Sequence, residues 1–512
     1  MSTMTTPIAD SGDLVQPLQE DASRPTLRSL YQGIAQFHEN QRLIEITTTL
    51  PGNLLLWLAT SLLLNLAHQL ILLPLMILSQ LFPAQRLRIL GVGLGALFLH
   101  RRLVNELHVT NFFWIAVDTG ILVGLLYLFY RLARSFASLP GVVRSNPQIF
   151  LHLLLWCCLL PMFLLPTNFR DNPAWVVATH LSVCMVFFTF LVWRIGFMLY
   201  SGKRGSIQKT GFWEHLIYAL PYLGPTQVAY GKGLDYLTSK LATNRLDLAK
   251  SQLAGVKLLA LAAIWTAVLK GMDLLFVGSH LRISMFLPPI PIKLYHLDTL
   301  IALGAQQVLP LGIVWASLIV DMVYETVALA AVGHVIIGCL RLCGFNLFRN
   351  TYKPLLATSL SEFWNRYYYY FKELLVDFFF FPTYLSYFRK HPKLRIFAAT
   401  MSSACLGNLY YHALQNFDDF VARGEAVSFS EFGSYTFYAF VLAIGIYVSI
   451  LREQRQRGTA LVERSPSAAF LLTLRKIAGV WLFFSLLRIW DHQSAAFMQD
   501  TRFFFALFGI HL

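Results

Sequence analysis

Charge is scarce in this chain. Asp, Glu, Lys and Arg supply 13% of its 512 residues, against roughly 25% in an ordinary soluble domain. Too little polar surface remains to solvate a globule of this length, which excludes a soluble multidomain protein. Cysteine is sparse as well. Cys157, Cys158, Cys184, Cys339, Cys343 and Cys405 lie in apolar runs or at their ends, with no CxxC pair. That spacing excludes a disulfide framework and a cysteine zinc site; small apolar packing residues are the plain reading. No phosphate-cradling glycine loop is present, which argues against ATP use, and no Asp/His pattern marks a metal site. Acidic residues number 27 against 41 basic ones, a net charge of +14. In a soluble protein that excess would suggest nucleic acid, but no basic helix or nucleic-acid module is found.

Apolar residues, in contrast, make up 56% of the chain. A membrane span needs about 20 of them in a row. Hydropathy predicts spans near Leu54–Phe82, Phe112–Tyr130, Ile149–Leu165, Trp175–Leu199, Leu253–Val277, Leu300–Val320, Met322–Leu342, Ile396–Leu414 and Tyr435–Leu451. Shorter or weaker segments lie near Ile89–Leu99, Val376–Phe388, Phe470–Leu487 and Phe503–Leu512. The expected fold is an all-α polytopic membrane protein with ten to twelve transmembrane or re-entrant helices. The expected division is a polar segment over residues 1–50 and one helical membrane domain over 51–512. Within the first segment, residues 1–25 are polar and carry no signal-peptide pattern. Leu27, Leu30, Ile34 and Phe37 then follow helical spacing, as in an amphipathic helix on the membrane surface. Short basic loops, such as Arg86/Arg88, Lys203/Arg204, Arg389–Arg395 and Arg452–Arg464, are expected on the cytoplasmic side, against anionic headgroups. No internal repeat of the transporter kind is found.

Ionisable groups at bilayer depth are costly and tend to face a protein interior. Asp118, His180, Lys257, Lys270, Asp273, Asp321, Glu325, His334, Asp377 and His412 qualify. Asp321 and Glu325 share a helix face and are expected at a boundary between two spans. Lys270 and Asp273 are expected to neutralise each other. His68 and His180 fit helix–helix hydrogen bonding. His412 has different surroundings: Asn408, His412 and Asn416 are spaced by four and make one polar stripe. The run before them, Ala398, Ala399, Ser402, Ser403, Ala404 and Gly407, is small enough for close helix packing. An imidazole titrates near neutral pH and suits removal of a hydroxyl proton.

Residues 344–382 read GFNLFRNTYKPLLATSLSEFWNRYYYYFKELLVDFFFFP. This block resembles the central block of the membrane-bound O-acyltransferase superfamily, in particular the bacterial branch of alginate O-acetyltransferases and teichoic-acid D-alanyl transferases. Gly344, Phe345, Asn350, Pro354, Leu356–Ser361, Phe363, Trp364, Arg366, Asp377 and Pro382 fit its pattern without a gap, with Gly338 and Arg341 upstream. His412 sits where the family has a histidine, so the acyltransferase-like core spans 338–416. Two places differ. Tyr368 stands where the branch usually has His or Asn, and Tyr411 and Ala413 flank His412 where Trp and Gly are usual. Pro221 and Gly224-Pro225 fit an earlier family pattern faintly.

The resemblance implies an O-acyltransferase moving an acyl group from a thioester donor, acyl-CoA or an acyl-carrier protein, to a hydroxyl of a glycan, lipid or other exported acceptor. It implies His412 as general base, with Tyr368, Asn408 and Asn365 holding the acceptor or the oxyanion. Trp364, Arg366 and Asp377 would bind substrate or support packing. It further implies a tunnel inside the bilayer, no bound cofactor, accessory protein partners and a bacterial inner (plasma) membrane. Two other classes account for part of the sequence: a catalytically weakened member acting as a membrane partner, which fits Tyr368, and a transporter, which fits Asp118, Asp321 and Glu325.

Overall fold

The computed structural model describes residues 36–64, 66–100, 111–166, 169, 172–219, 232–277, 293–304, 309–417, 425–457, 465–491 and 496–510. Among them the chain is helical, with one isolated β-bridge between Leu241 and Phe345. The helices that matter for the site are α1 (Phe112–Arg134), α2 (Pro147–Leu159), α3 (Val176–Arg204), α4 (Arg245–Val277), α5 (Leu311–Leu342), α6 (Leu360–Tyr367), α7 (Tyr369–Leu375), α8 (Asn408–Gln415), α9 (Glu425–Arg457) and α10 (Pro466–Leu487). Seven described helices, those built on α1–α5, α9 and α10, are long and apolar enough to cross a membrane. An eighth crossing results if Gln41–Thr48 and Leu50–Leu63, bent by 100° to each other, count as one span. Leucines along the outer faces, such as Leu128, Leu153, Leu181 and Leu471, are exposed, as a lipid-facing surface requires. The protein is a multi-pass all-α membrane protein.

The most extensive contact between two helices is that of α4 with α5. Gly255 and Gly338 meet there: a Cβ on Gly255 would lie 2.8 Å from the Gly338 carbonyl oxygen. Only hydrogen at both positions lets the two backbones approach this closely. On the buried side of α3, Phe187 packs with Leu122 of α1, and Trp193 packs on Tyr411 of α8 and on Phe378 and Phe379 between α7 and α8.

Hydropathy and structure differ at several places. The segments Leu300–Val320 and Met322–Leu342 are not two spans. Leu297–Gly304 is a separate short helix, and Leu311–Leu342 is one uninterrupted helix that starts behind Pro310. Asp321 and Glu325 therefore lie within a helix rather than at a boundary. Asp321 tolerates that position because Arg488 and His296 reach it from other elements, at 3.1 and 3.0 Å. Leu54–Phe82 is the reverse case. It breaks into Leu50–Leu63 and Leu66–Leu81, with Leu64 extended (φ −99°, ψ 143°). Lys270 and Asp273 do not form an ion pair among the described residues; Lys270 is exposed and Asp273 faces Tyr324 on α5. Leu27, Leu30 and Ile34 of the expected surface helix, as well as Pro221, Gly224 and Pro225, lie outside the described residues, as does the His68 side chain. The first described elements are a turn at Phe37–Glu39 and the helix Gln41–Thr48.

Candidate functional site

The block at residues 344–382 owes much of its composition to local architecture. Ser359 caps α6, its hydroxyl accepting from the Glu362 N–H at 3.1 Å, a standard way to satisfy an open helix start. Ser359 also donates to Glu453 of α9 at 2.6 Å, and Ser361 donates to the same oxygen. The Thr358 N–H donates to Glu362 at 2.6 Å. Pro354 opens a single turn of 3₁₀ helix, and the indole of Trp481 on α10 donates to the Leu355 carbonyl at 2.8 Å. These residues lock α6 against α9 and α10.

The helix then breaks at Tyr368 (φ −131°, ψ 69°). The segment 350–352 runs alongside and satisfies the backbone groups that the break frees. Tyr352 N–H donates to the Arg366 carbonyl (2.8 Å), the Thr351 hydroxyl to the Tyr367 carbonyl (3.0 Å), and Tyr369 N–H to the Asn350 carbonyl (2.9 Å). The Asn350 side chain accepts from Tyr370 N–H at 3.3 Å. A buried backbone break needs such partners, so Asn350 belongs to the scaffold that turns Tyr368 inward, where it is buried.

After α7 the backbone widens into a π-helix at Val376–Phe380, and a second π-helix, Met401–Gly407, precedes α8. The two pack on each other. Gly407 accommodates the Phe379 ring, which a Cβ would meet at 2.7 Å, and Thr383 donates to Ser402 across the contact at 2.9 Å. Such π segments are rare and concentrate at functional sites. Here they set the rotation with which α8 enters the core.

His412 is 4% exposed. Its ring lies 4.5 Å from that of Tyr435 on α9, 5.6 Å from Tyr411 and 6.1 Å from Phe371. Four other histidines are tied down: His152 to the Tyr410 hydroxyl (2.8 Å), His180 to Asp118 (2.8 Å), His215 to Thr210 (2.8 Å) and His296 to Asp321 (3.0 Å). Among the described residues nothing hydrogen-bonds the ring of His412. Asn408, one turn before it, accepts a hydrogen bond from the Tyr435 hydroxyl at 3.1 Å through Oδ1. That bond fixes the amide so that its NH₂ is the free end, and Nδ2 is buried with no partner among the described residues. Gln415 is also buried, and both its amide atoms lack partners. Positions 408, 412 and 415 share one helix face, so three buried polar side chains with unspent hydrogen-bonding capacity among the described residues lie on the inner side of α8.

The stripe expected from spacing is thus altered. Asn416 ends α8, its amide donating to the His412 carbonyl at 2.9 Å, and Gln415 takes its place on the inner face. Tyr435 was not singled out by sequence, because its contact with Asn408 joins segments 27 residues apart. Tyr368 lies within electrostatic reach of Tyr435, and its ring is 5.9 Å from that of Phe371. Trp364 is buried against Phe371 at 6.3 Å.

The other expected site residues go elsewhere. Asn365 is exposed, because the 100° helical turn that buries Trp364 carries its neighbour outward. Arg366 pairs with Glu362 one turn back and donates to the Lys353 carbonyl. Asp377 faces Lys232 at 2.6 Å, and Lys232 also holds Glu373 at 3.1 Å. Burial opposes the Lys232 charge, yet these two carboxylates outweigh it and hold the ammonium above the ordinary lysine range. That network fixes the start of the first π-helix rather than the α8 face that carries His412. Asp118 and His180 pair between α1 and α3, with His180 stacked on Trp114 at 4.0 Å.

No protein-family model matches this chain, and no curated protein matches it.

Proposed function

We propose that this protein is a membrane-embedded O-acyltransferase. It moves an acyl group, acetyl among the candidates, from a thioester donor (acyl-CoA or an acyl-carrier protein) to a hydroxyl of a glycan, lipid or other exported acceptor. The observation that carries this reading is the unengaged, buried imidazole of His412 on one face with the free amides of Asn408 and Gln415. Four of the other described histidines are bonded through a ring nitrogen, and His412 is not. The resemblance of residues 338–416 to the membrane-bound O-acyltransferase block supports the same chemistry.

His412 takes the proton of the acceptor hydroxyl as its oxygen attacks the thioester carbonyl. The Asn408 N–H, aimed by Tyr435, donates to the oxyanion that forms. The tetrahedral adduct collapses, the C–S bond breaks, and the proton on His412 passes to the departing thiolate. The products are an ester and a thiol. Tyr368 holds the acceptor oxygen from the side opposite α8. Ten to twelve membrane or re-entrant helices, the short α6–α8 segments among them, enclose the tunnel through which donor and acceptor meet, in a bacterial inner membrane.

The direct test is mass spectrometry of cell-surface glycans and lipids from cells with and without this protein. An acylated species lost with the protein and restored with it supports the reading; an unchanged ester inventory argues for a membrane partner without activity of its own, which Tyr368 would fit. Tyr368→Phe provides a finer measurement. Loss of one neutral hydrogen bond to the acceptor slows transfer by about five- to tenfold with the protein folded. Equal rates for Tyr368→Phe and the unmodified protein remove this hydroxyl from the reaction.

A further inference from the structure

A second polar site lies at the far end of the α4–α5 pair. The turn Phe37–Glu39, the first turns of α4, the end of α5 and the segment behind it enclose a cavity of about 280 Å³. Its wall includes His38, Asp247, Lys250, Arg341, Asn346 and Phe348, and none of the residues around His412. The volume lies just below the roughly 300–1,000 Å³ of small-molecule sites. It has room for a headgroup or a phosphorylated fragment, and not for a folded polypeptide.

Cations converge on this cavity. Lys250, Lys257, Arg341 and Arg349 all act on His38, the side chain in its wall. Burial first, and then these four charges, push His38 down to about 4, so it contributes no charge of its own at neutral pH. Among the described residues two carboxylates lie near these cations, Asp247 in the cavity wall and Glu39. Asp247 is committed: it accepts from Asn346 at 3.0 Å through one oxygen and from the Thr243 N–H at 3.0 Å through the other. Glu39 lies against His38 at 3.7 Å. Lys232 and Arg488 meet carboxylates. Arg341, like the buried Arg86 and Arg194, meets a backbone carbonyl, that of Leu347, at 2.8 Å through Nε. Lys250 is exposed and makes no hydrogen bond or ion pair among the described residues. Two turns up α5, the His334 Nδ1 is buried without a partner among the described residues, as is the Asn350 Nδ2 beyond Arg349.

A guanidinium and an ammonium group in the wall of a concave, partly enclosed volume match the oxygens of a phosphate ester. We infer that this cavity is a phosphate-ester site, in which Lys250 and Arg341 hold the anion and the turn at Phe37–Glu39 covers it. Two sources supply that chemistry: the headgroup of an anionic phospholipid in the surrounding leaflet, and a soluble phosphorylated carrier such as coenzyme A. The inference is independent of acyl transfer, because binding is read without turnover.

The test uses the full chain in phosphatidylcholine nanodiscs. One arm adds coenzyme A and follows saturable binding by the shift of the thermal midpoint. The other arm doses the discs with phosphatidylglycerol and counts retained lipid by native mass spectrometry. Lys250→Glu is compared with Lys390→Glu, a reversal of the same sign at an exposed position in a turn outside the membrane-crossing helices. The expected result is that one probe binds the unmodified protein and the Lys390→Glu variant alike, and binds Lys250→Glu about tenfold or more weakly. Loss in the coenzyme A arm identifies a soluble ligand; loss in the lipid arm identifies a headgroup. If neither probe binds, or if both variants bind equally, the site is not a phosphate site. Lys250 holds no other group, so the variant is expected to fold, and its unliganded thermal midpoint checks this.

Discussion

Replacement of His412 with Gln is expected to reduce acyl transfer by about 10²–10⁴-fold, the contribution of a positioned general base, with little change in thermal stability. The second half follows from the same observation as the first. Among the described residues the His412 ring holds no hydrogen bond, so its removal breaks none. Gln is a good helix former of similar length and keeps an amide on that face of α8. A change without a lost partner or a cavity falls within about 1 kcal/mol. His152→Gln is the informative contrast. His152 bonds the Tyr410 hydroxyl, which also accepts from the Trp156 indole at 3.0 Å. That pair ties α2 to α8 from the side away from His412. Its loss should lower the thermal midpoint and slow transfer only as far as α8 shifts. Purified protein with donor thioester and a hydroxyl acceptor decides the matter. Undiminished turnover in His412→Gln would eliminate His412 as the base.

Part of this architecture can be read from the sequence, and the part that cannot has a physical reason. Spans such as Phe112–Arg134 and Arg245–Phe276 follow from hydropathy, because the bilayer sets the length and polarity of a helix that must satisfy its own backbone. The polar stripe at Asn408 and His412 follows from helical spacing. Asn365 shows where adjacency misleads: it stands beside Trp364 in the chain and a third of a turn away from it in space. Gln415 and Asn416 exchange roles for a related reason. Both are polar at the end of α8, and only the position of the C-cap decides which amide turns back to the His412 carbonyl. Tyr435 required knowledge that α9 packs on α8, a tertiary contact that no periodicity records. The π-helices at 376–380 and 401–407 change the register between hydrophobic spacing and helix face, so a 3.6-residue wheel drawn through Ile396–Leu414 misaligns its own ends.

Asp321→Ala should be among the most destabilising single changes in this protein, costing about 3–5 kcal/mol, because it leaves a charge in the interior without its partner. Asp321 is 3% exposed. One oxygen faces Arg488 at 3.1 Å and the other His296 at 3.0 Å. Arg488 also donates to the Asp321 carbonyl at 2.9 Å, so one guanidinium clamps both the side chain and the backbone of α5 to the end of α10. His296 stacks on Phe276 at 3.8 Å and extends the clamp to α4. This three-way tie is what permits an acidic residue in the middle of a 32-residue apolar helix, where composition alone suggested a break. The paired replacement Asp321→Leu with Arg488→Met removes both charges and should recover most of the lost stability, as apolar side chains of similar volume do for buried ion pairs. Thermal unfolding in detergent, followed by intrinsic tryptophan fluorescence, separates the two cases. If Asp321→Ala unfolds at the same temperature as the unmodified protein, the clamp carries no stability; if the double replacement is no better than the single one, the loss comes from packing around α5 rather than from an orphaned charge.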